Sequence, residues 1–272
     1  MKTALVTGGS RGIGQGIALR LAKEGYRVAF GHWNDDERAA RTAAEIEAIS
    51  GEPCPVFPID LGSQDGALEL AKQAIDALGH VDLLVNNAGI CGFAEFVNEP
   101  IDMMDQMIAI NYRAPIILMR EFSDRMVDNG IKGAIVNISS SRGTRAYPGD
   151  AVYGGLKAGL ERSTESIALS LAPYGIRVNC VAPGAIHVNA FHKPGVLGEC
   201  IPLGRIGEPD DVAQAVMWLA SEQASYVTGI TLRVDGGLIL PGMPEDGKNN
   251  WGTAVKPASM PSSKNNQEGN RR

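Results

Sequence analysis

The sequence predicts a doubly wound α/β fold: a single domain built on one parallel sheet of seven strands. Two observations predict it. Short runs rich in Val, Ile and Leu recur along the chain, at residues 3–7, 28–31, 54–59, 82–85, 134–138, 177–181 and 230–234. Segments with helical spacing lie between them, for example Ile13, Ile17 and Leu21. Continuous apolar strands that alternate with helices are typical of a parallel sheet buried on both faces.

Composition and charge argue against several classes of partner. The 272 residues are 44% hydrophobic, enough for one domain that buries about three quarters of its unfolded surface. A net charge of −6 without a basic cluster argues against nucleic acid and anionic membranes as partners. The four cysteines are widely spaced and include no Cys-x-x-Cys, so we expect no metal site and a reducing, cytoplasmic location. We expect no signal peptide and no membrane span, since the first strand begins at residue 3 and no apolar run is long enough.

The first predicted strand runs directly into a glycine-rich turn, residues 7–14 (Thr-Gly-Gly-Ser-Arg-Gly-Ile-Gly), and then into a helix. Glycines let the backbone turn tightly, and they let a pyrophosphate approach the free N–H groups at the helix N-terminus. Such a segment can be merely a turn. Its place after the first strand of an alternating pattern nevertheless favours dinucleotide binding and a Rossmann-like fold.

The predicted chemistry lies in residues 140–157, where the fifth strand leads into a loop and then a helix. Tyr153 and Lys157 are four residues apart and share one face of that helix. At about 6 Å and an effective dielectric of about 20, an ammonium group stabilises a phenolate by about 3 kcal/mol, or about two pKa units. A phenol with a lowered pKa is a general acid or base, and a hydroxyl such as Ser140 can hold a carbonyl oxygen. A chance surface pair is the alternative for Tyr-x-x-x-Lys taken alone.

Together with Asn111, the run 86–89 (Asn-Asn-Ala-Gly) and Pro183-Gly184, these motifs resemble the short-chain dehydrogenases/reductases in order and spacing. The resemblance covers residues 1–241 and implies a dinucleotide-binding, catalytic Rossmann domain over that range. It implies a nicotinamide cofactor that exchanges a hydride with a small ketone or secondary alcohol. The implied catalytic residues are Asn111, Ser140, Tyr153 and Lys157. The residues implied in cofactor binding are Gly8, Ser10, Arg11, Gly12, Ile13, Gly14, His32, Trp33, Asp60, Leu61, Asn87, Ala88, Gly89, Tyr153, Lys157, Pro183, Gly184 and Ile186.

The expected cofactor is NADP, with NAD as the alternative. NAD-preferring relatives place an aspartate near the end of the second strand to bind the adenosine ribose, and the matching position here is His32. Arg11 lies where relatives carry a basic residue against the ribose 2′-phosphate, which a carboxylate would repel. Asp35 or Asp36 can still reach a ribose, although a role as a charge at the helix N-terminus is the preferred interpretation.

Two further positions bear on the site. Pro115 lacks the N–H group that would bond the carbonyl of Asn111, so we expect that oxygen to be free for the water that relatives bind there; a simple kink is the alternative. Relatives usually have a threonine at the position of Val188. Asn189 or His187 is a candidate to replace its hydroxyl, and an ordinary loop role is the preferred interpretation of His187 and His192.

For a hydride-transferring enzyme of this kind, two substrate classes stay open: a 3-oxoacyl chain on its carrier protein, and a sugar such as glucose. Carrier-dependent reductases usually present an arginine late in the active-site helix, where Leu169 and Tyr174 stand here. Other arginines keep that option open: Arg142, Arg145 and Arg162. Residues 185–200, where relatives carry a substrate lid, are few and predict a small or open pocket. A non-catalytic dinucleotide-binding sensor is the alternative from another class, and the intact Ser, Tyr and Lys disfavour it.

Residues 242–272 are predicted to be a polar, disordered extension. The last 28 residues carry five cations against three acids, a net charge of +2, and few apolar side chains, so they cannot form a core. Packing on a neighbouring subunit is the alternative. The resemblance further implies a homotetramer, packed partly through the two long helices that carry Asn111 and Tyr153.

Overall fold

The computed structural model describes residues 1–188 and 198–240, and its centre is one parallel sheet with helices on both faces. Within these residues, seven strands lie in the order β3-β2-β1-β4-β5-β6-β7. Their bounds are β1 Thr3–Thr7, β2 Arg27–His32, β3 Val56–Pro58, β4 Leu83–Asn86, β5 Ala134–Ile138, β6 Arg177–Pro183 and β7 Thr231–Val234. The predicted doubly wound sheet is confirmed. The strand order reverses between β1 and β4, which is where such sheets bind ligands at their carboxyl edge.

The helices alternate with the strands as the apolar spacing predicts. In the described part of the chain they are α1 Gly12–Lys23, α2 Asp36–Ser50, α3 Gly66–Leu78, α4 Ile101–Ile108, α5 Ala114–Asp128, α6 Ala151–Leu171 and α7 Pro209–Ala220. Short 3-10 turns occur at Phe96–Asn98, Ser141–Gly143, Ala172–Tyr174 and Glu222–Ala224. No helix among these described residues has both the length and the apolar character needed to cross a membrane.

Two hydrophobic cores, one on each face, hold the sheet between its helices. Along β1 the side chains alternate between them: Val6 packs with Ile17 of α1 and Val216 of α7. Leu5 points to the opposite core, with Phe122 of α5 and others from α3 and α6. All of these side chains are buried. Burial of a large apolar side chain contributes about 1.5–3 kcal/mol, so the two cores fix the position of the strand ends where the site lies.

The helical segment around Asn111 contains one wide turn. Ala109–Arg113 is π-helical, and the N–H group of Ala114 bonds the carbonyl of Ala109, five residues back. Pro115 follows within α5 and has no N–H group to donate. A π-turn of this kind is a frequent feature of functional sites. The predicted freedom of the Asn111 carbonyl stays a prediction.

Several expectations concern residues outside those described. They are the roles of Asn189 and His192, most of the lid segment 185–200, and the polar extension 242–272. Within the described residues, no group of three or more potential metal ligands comes together. Among the described residues, no disulfide joins the cysteines at 54, 91, 180 and 200.

Candidate active site

The end of β5 and the start of α6 bring Ser140, Tyr153 and Lys157 together. Ser140 caps a 3-10 turn directly after β5, and its hydroxyl forms a hydrogen bond with the Tyr153 phenol. Lys157 lies one helical turn beyond Tyr153, with Nζ 5.7 Å from the centroid of the phenol ring. The same Nζ donates a hydrogen bond of 2.8 Å to the carbonyl of Ile138, the last residue of β5. A proton donor, a second hydroxyl and a buried amine therefore share one corner of the sheet edge.

Burial dominates the electrostatics of this corner. It raises the pKa of Tyr153, while the hydrogen bond from Ser140 acts in the opposite direction. Burial also lowers the pKa of Lys157, from 10.5 to about 8. The prediction of a net lowering of the Tyr153 pKa is therefore wrong, because it counted the attraction between the two groups and omitted the hydration that both lose. A phenol that stays neutral remains a proton donor at neutral pH.

Asn111 holds the segment after β4 against Lys157. Its side chain is fully buried, accepts a hydrogen bond of 3.0 Å from the Ile90 amide and donates one of 2.7 Å to the Ile90 carbonyl. A methyl group added at Gly89 would lie 2.7 Å from Asn111 Oδ1 and 3.6 Å from Lys157 Nζ. Only glycine at position 89 permits this close approach.

A cavity of about 430 Å³ opens at the point where the strand order reverses. Most residues predicted to bind the cofactor line it: Gly8, Ser10, Arg11, Gly12, Ile13, Gly14, His32, Trp33, Asp60, Leu61, Asn87, Ala88 and Gly89. The described cavity wall does not include Tyr153, or Lys157, which lies beside it at Gly89, nor Pro183, Gly184 or Ile186. Ile186 is instead buried, and it lines a separate cavity next to Gly207. The implied contacts at Pro183, Gly184 and Ile186 therefore find no support here.

The glycine turn is shaped to receive an anion. Gly8 and Gly12 have φ angles of 68° and 56°, in the left-handed region that favours glycine. A methyl group added at Gly14 would collide with the Gly8 carbonyl. The N-terminus of α1 has no side-chain cap and no acidic residue in its first turn. Its free N–H groups therefore fit the pyrophosphate of a dinucleotide.

Thr7 and Asn87 join the ends of β1 and β4 beneath this turn. The Thr7 hydroxyl accepts hydrogen bonds of 2.9 Å from the amides of Asn87 and Ala88. The Asn87 side chain donates to the carbonyls of Thr7 and Gly8, at 2.9 and 3.1 Å. The resemblance implied Asn87 but gave Thr7 no role of its own. The available signal was the position of Thr7 directly after the apolar run 4–6 of β1.

At the other end of the cavity, the carboxylate of Asp35 lines the wall. It accepts a hydrogen bond of 2.7 Å from the Ser10 hydroxyl, and it lies 3.5 Å from Arg11 and 3.8 Å from Arg38. Although Asp35 directly precedes α2, its side chain makes no capping hydrogen bond. Asp35 nevertheless stands at the N-terminus of α2, ahead of Asp36 and Glu37 in its first turn, so its interpretation as a helix N-terminal charge stays a prediction beside the bond to Ser10.

His32 ends β2 beneath the same part of the cavity. It is buried, its Nε2 lies 3.7 Å from Asp36, and its Nδ1 has no hydrogen-bond partner within the described chain. Val188 also lines the cavity, whereas His187 does not and lies 3.6 Å from Glu208. His187 is therefore not brought to the position where it would replace a threonine hydroxyl.

A buried polar network supports the site from below. The side chain of Asn86 donates 2.8 Å to that of Asn137, which in turn donates 2.8 Å to Thr164 of α6. Thr164 lies 3.2 Å from the Cys180 thiol, and burial raises the pKa of that thiol to about 12. The network connects β4, β5, β6 and α6. Sequence reasoning anticipated asparagines bridging strands but missed Asn137, although it interrupts the apolar run 134–138.

Comparisons with known proteins agree on the class of protein. A family model described as "Enoyl-(Acyl carrier protein) reductase" matches residues 8–239. The L-rhamnose 1-dehydrogenase (NAD(P)(+)) of Azotobacter vinelandii is 39% identical, over 88% of this chain and 97% of that protein. The 3-oxoacyl-(acyl-carrier-protein) reductase of Staphylococcus epidermidis is 38% identical, over 88% and 99%. The crystal structure of a blue fluorescent protein from a metagenomic library, in complex with NADPH, is 35% identical with a TM-score of 0.82, over 88% and 98% of the two chains.

Proposed function

Because the chain belongs to the short-chain dehydrogenase/reductase family, we propose that it transfers a hydride between NADP(H) and a ketone or secondary alcohol of a small substrate. The observation that carries this proposal is the hydrogen bond between Ser140 and Tyr153 with Lys157 beside it. Lys157 of this group lies next to Gly89, which lines the cavity whose other features suit a dinucleotide. The bound cofactor supplies the hydride, and the chain supplies placement and the proton.

Each of the four polar residues has a separate role in this proposal. Tyr153 donates a proton to the carbonyl oxygen during reduction and removes it during oxidation, and Ser140 holds that oxygen. Lys157 holds the ribose next to the nicotinamide and stabilises the phenolate left after proton donation. Asn111, through its backbone carbonyl, returns protons to Lys157 by way of water. The last role rests on the π-turn and on Pro115, which leaves a carbonyl of this turn without its usual donor.

NADP is the proposed preferred cofactor, with NAD also accepted. Arg11 and Arg38 present two cations near the adenosine end of the cavity, and together they offset the charge of Asp35. His32 Nδ1, which has no hydrogen-bond partner within the described chain, adds a hydrogen-bonding group below these two arginines. A 2′-phosphate has three acceptor oxygens and suits such a set. A ribose without phosphate suits the carboxylate of Asp35 and explains use of NAD as well.

The change His32→Asp tests this preference. A carboxylate at the end of β2 repels the 2′-phosphate, so the ratio of kcat/KM with NADPH to kcat/KM with NADH should fall by about 30-fold, or about 2 kcal/mol. The measurement is the initial rate of carbonyl reduction with each cofactor. Ala44→Asp, which adds a carboxylate at an exposed position further along α2, is the matched control. An unchanged ratio in His32→Asp would show that the ribose pocket is misplaced.

Two substrate classes deserve direct comparison, sugars and 3-oxoacyl thioesters, because the two relatives described above act on one of each according to their names. Leu169 and Tyr174, which are exposed, stand where an acidic carrier would meet arginine in related reductases. This favours a sugar or another small molecule. Oxidation of D-glucose and L-rhamnose, compared with reduction of acetoacetyl-CoA and each with both cofactors, separates the classes. Tight cofactor binding without any turnover would contradict the proposed function and favour a dinucleotide sensor.

A cytoplasmic homotetramer is part of the proposal. Four cysteines without a disulfide between them in the described chain suit a reducing compartment. Several large apolar side chains remain exposed on one chain, among them Ile101, Leu169 and Tyr226. Burial between subunits is one way to cover them. Light scattering of the purified protein and fractionation of cells that express it are the corresponding measurements.

A further inference from the structure

Arg142 joins three segments that meet over the active site. It lies in the 3-10 turn after β5, two residues beyond Ser140. Its guanidinium carbon lies 4.6 Å from the ring centroid of Phe93 and 4.5 Å from that of Tyr147. One of its nitrogens is 3.0 Å from the carboxylate of Asp150, immediately before α6. The side chain thus connects the segments after β4 and after β5 with the start of the helix that carries the phenol.

Asp150 is almost completely enclosed, with 5% of its side chain exposed. One carboxylate oxygen accepts a hydrogen bond of 3.2 Å from the Tyr147 amide, and its backbone carbonyl accepts one of 2.7 Å from Gly154. A methyl group added at Gly154 would lie 3.0 Å from the carbonyl of Arg142. A buried carboxylate is costly without a cation beside it, so Arg142 and Asp150 act as a unit.

Both neighbours of the Tyr153 phenol depend on Arg142. The Phe93 ring, which the guanidinium covers, meets the Tyr153 ring edge-on at a centroid distance of 6.2 Å and an angle of 72°. The Ser140 hydroxyl accepts a hydrogen bond of 3.2 Å from the Arg142 amide, and it also bonds the phenol. A displacement of the Arg142 turn therefore moves the aromatic wall and the hydroxyl together.

We propose that Arg142, held by Asp150, is a positioning residue that keeps the Phe93 ring and the Ser140 turn against Tyr153. This inference rests on the function proposed above. A planar guanidinium can contact the rings of Phe93 and Tyr147 at once, and its edge can still reach the Asp150 carboxylate. Lysine offers a point charge without that plane. Arg142→Lys is therefore expected to restore the charge but only part of the alignment.

A double-mutant cycle on kcat tests the contact with Phe93. Arg142→Met should lower kcat by about tenfold to 100-fold with a smaller change in the KM for cofactor, because misplacement of about 1 Å has effects of that size. In the background of Phe93→Leu the same change should have a much smaller effect, since the ring it positions is gone. Arg120→Met, which changes an exposed arginine on α5, and Phe96→Leu, which changes an exposed phenylalanine near Phe93, are the matched controls. Fully additive effects of Arg142→Met and Phe93→Leu would overturn the proposal.

A second measurement separates positioning from damage to the fold. The charged or titratable groups that face the phenol are Cys91 from the segment after β4, Arg142 from the turn after β5, Asp150 immediately before α6, and Lys157 on α6. Arg142 lowers the pKa of Tyr153, and Asp150 raises it. Arg142→Met should therefore raise this pKa, because it removes the charge and also disturbs the Ser140 hydrogen bond, which lowers the pKa. If Arg142 acts through Ser140, the rise should be smaller in the background of Ser140→Ala, where that hydrogen bond is already absent.

The shift is read from the tyrosinate absorbance as a function of pH, taken as the difference between each protein and the same protein carrying Tyr153→Phe. The rise from wild type to Arg142→Met is compared with the rise from Ser140→Ala to Arg142→Met/Ser140→Ala. A smaller rise in the Ser140→Ala background supports the proposal, and equal rises in both backgrounds, or no rise, overturn it. Because the titration needs no substrate, it tests the positioning role of Arg142 even if no tested alcohol or carbonyl is turned over. Such a lack of turnover would contradict only the proposed function.

Discussion

Tyr153→Phe is expected to lower kcat by about 10³-fold, because it removes the only proton that the proposed mechanism transfers to the substrate oxygen. The change deletes one oxygen and leaves the ring that contacts Phe93 in place. Cofactor affinity should change little, since the glycine turn and the Asp35 region provide most of the cavity wall. The measurement is steady-state reduction of acetoacetyl-CoA or oxidation of L-rhamnose, together with a fluorescence titration of NADPH.

The matched control for this change is Tyr174→Phe, which removes the same atom from an exposed tyrosine in the turn after α6. Ser140→Ala provides an intermediate case, because it removes the hydrogen bond to the phenol but leaves the proton donor. A loss of about 10²-fold is expected from it. Turnover of Tyr153→Phe near the wild-type rate would mean that another group donates the proton.

Lys157→Met is expected to lower kcat by about 10²-fold and at the same time to stabilise the fold. The buried ammonium is disfavoured in the folded chain, which lowers its pKa from 10.5 to about 8. At neutral pH this difference corresponds to a cost on the order of 3 kcal/mol. Methionine fills a similar volume without charge, although the Ile138 carbonyl then loses its donor, at about 1 kcal/mol. The free energy of unfolding at pH 7 should therefore rise by about 2 kcal/mol.

The pH dependence of the free energy of unfolding tests whether burial of the Lys157 ammonium destabilises the fold. Between about pH 8 and pH 10.5 the unfolded chain holds a proton on Lys157 that the folded chain has released, so the wild type should gain stability as the pH rises through this window. Below about pH 8 both states are protonated and the cost of burying the charge is constant. Lys157→Met should lack this gain, and the exposed Lys72→Met should keep it. Denaturant unfolding at several pH values provides the comparison, and equal slopes for wild type and Lys157→Met would contradict the account.

Sequence reasoning predicted best where the signal is local. The alternation of apolar runs and helical spacing identified the sheet, and β1 and β5 have the predicted bounds. The glycine turn lies against the cavity as expected, because a left-handed φ at Gly8 and Gly12 is a local requirement that glycine meets without strain. The close spacing of Tyr153 and Lys157 on α6 follows from helix geometry alone.

Features that depend on distant parts of the chain were missed. The placement of Asp35 against Ser10 joins residues 25 apart in sequence, and no periodic pattern encodes it. The Arg142–Asp150 pair was equally hidden, since its importance comes from the Phe93 ring of another segment.

The error in the Tyr153 pKa has a physical origin of the same kind. Sequence spacing gives the distance to Lys157 but not the burial of either group. Desolvation raises the pKa of the phenol and lowers that of the amine, so it opposes both charged forms. Tyr153 is therefore best suited to donate a proton to a carbonyl, and in the reverse direction Lys157 and Arg142 must stabilise the phenolate.

The most direct test of the central claim is the fate of a hydride label. Purified protein is incubated with NADPH that carries deuterium at its transferable position and with a carbonyl compound that the protein reduces, beginning with acetoacetyl-CoA, and the product is analysed by mass spectrometry. The account predicts one deuterium on the carbon that bore the carbonyl oxygen, in wild type but not in Tyr153→Phe over the same time. An alcohol product without deuterium, or a carbonyl panel left unreduced with both labelled NADPH and labelled NADH, would contradict it.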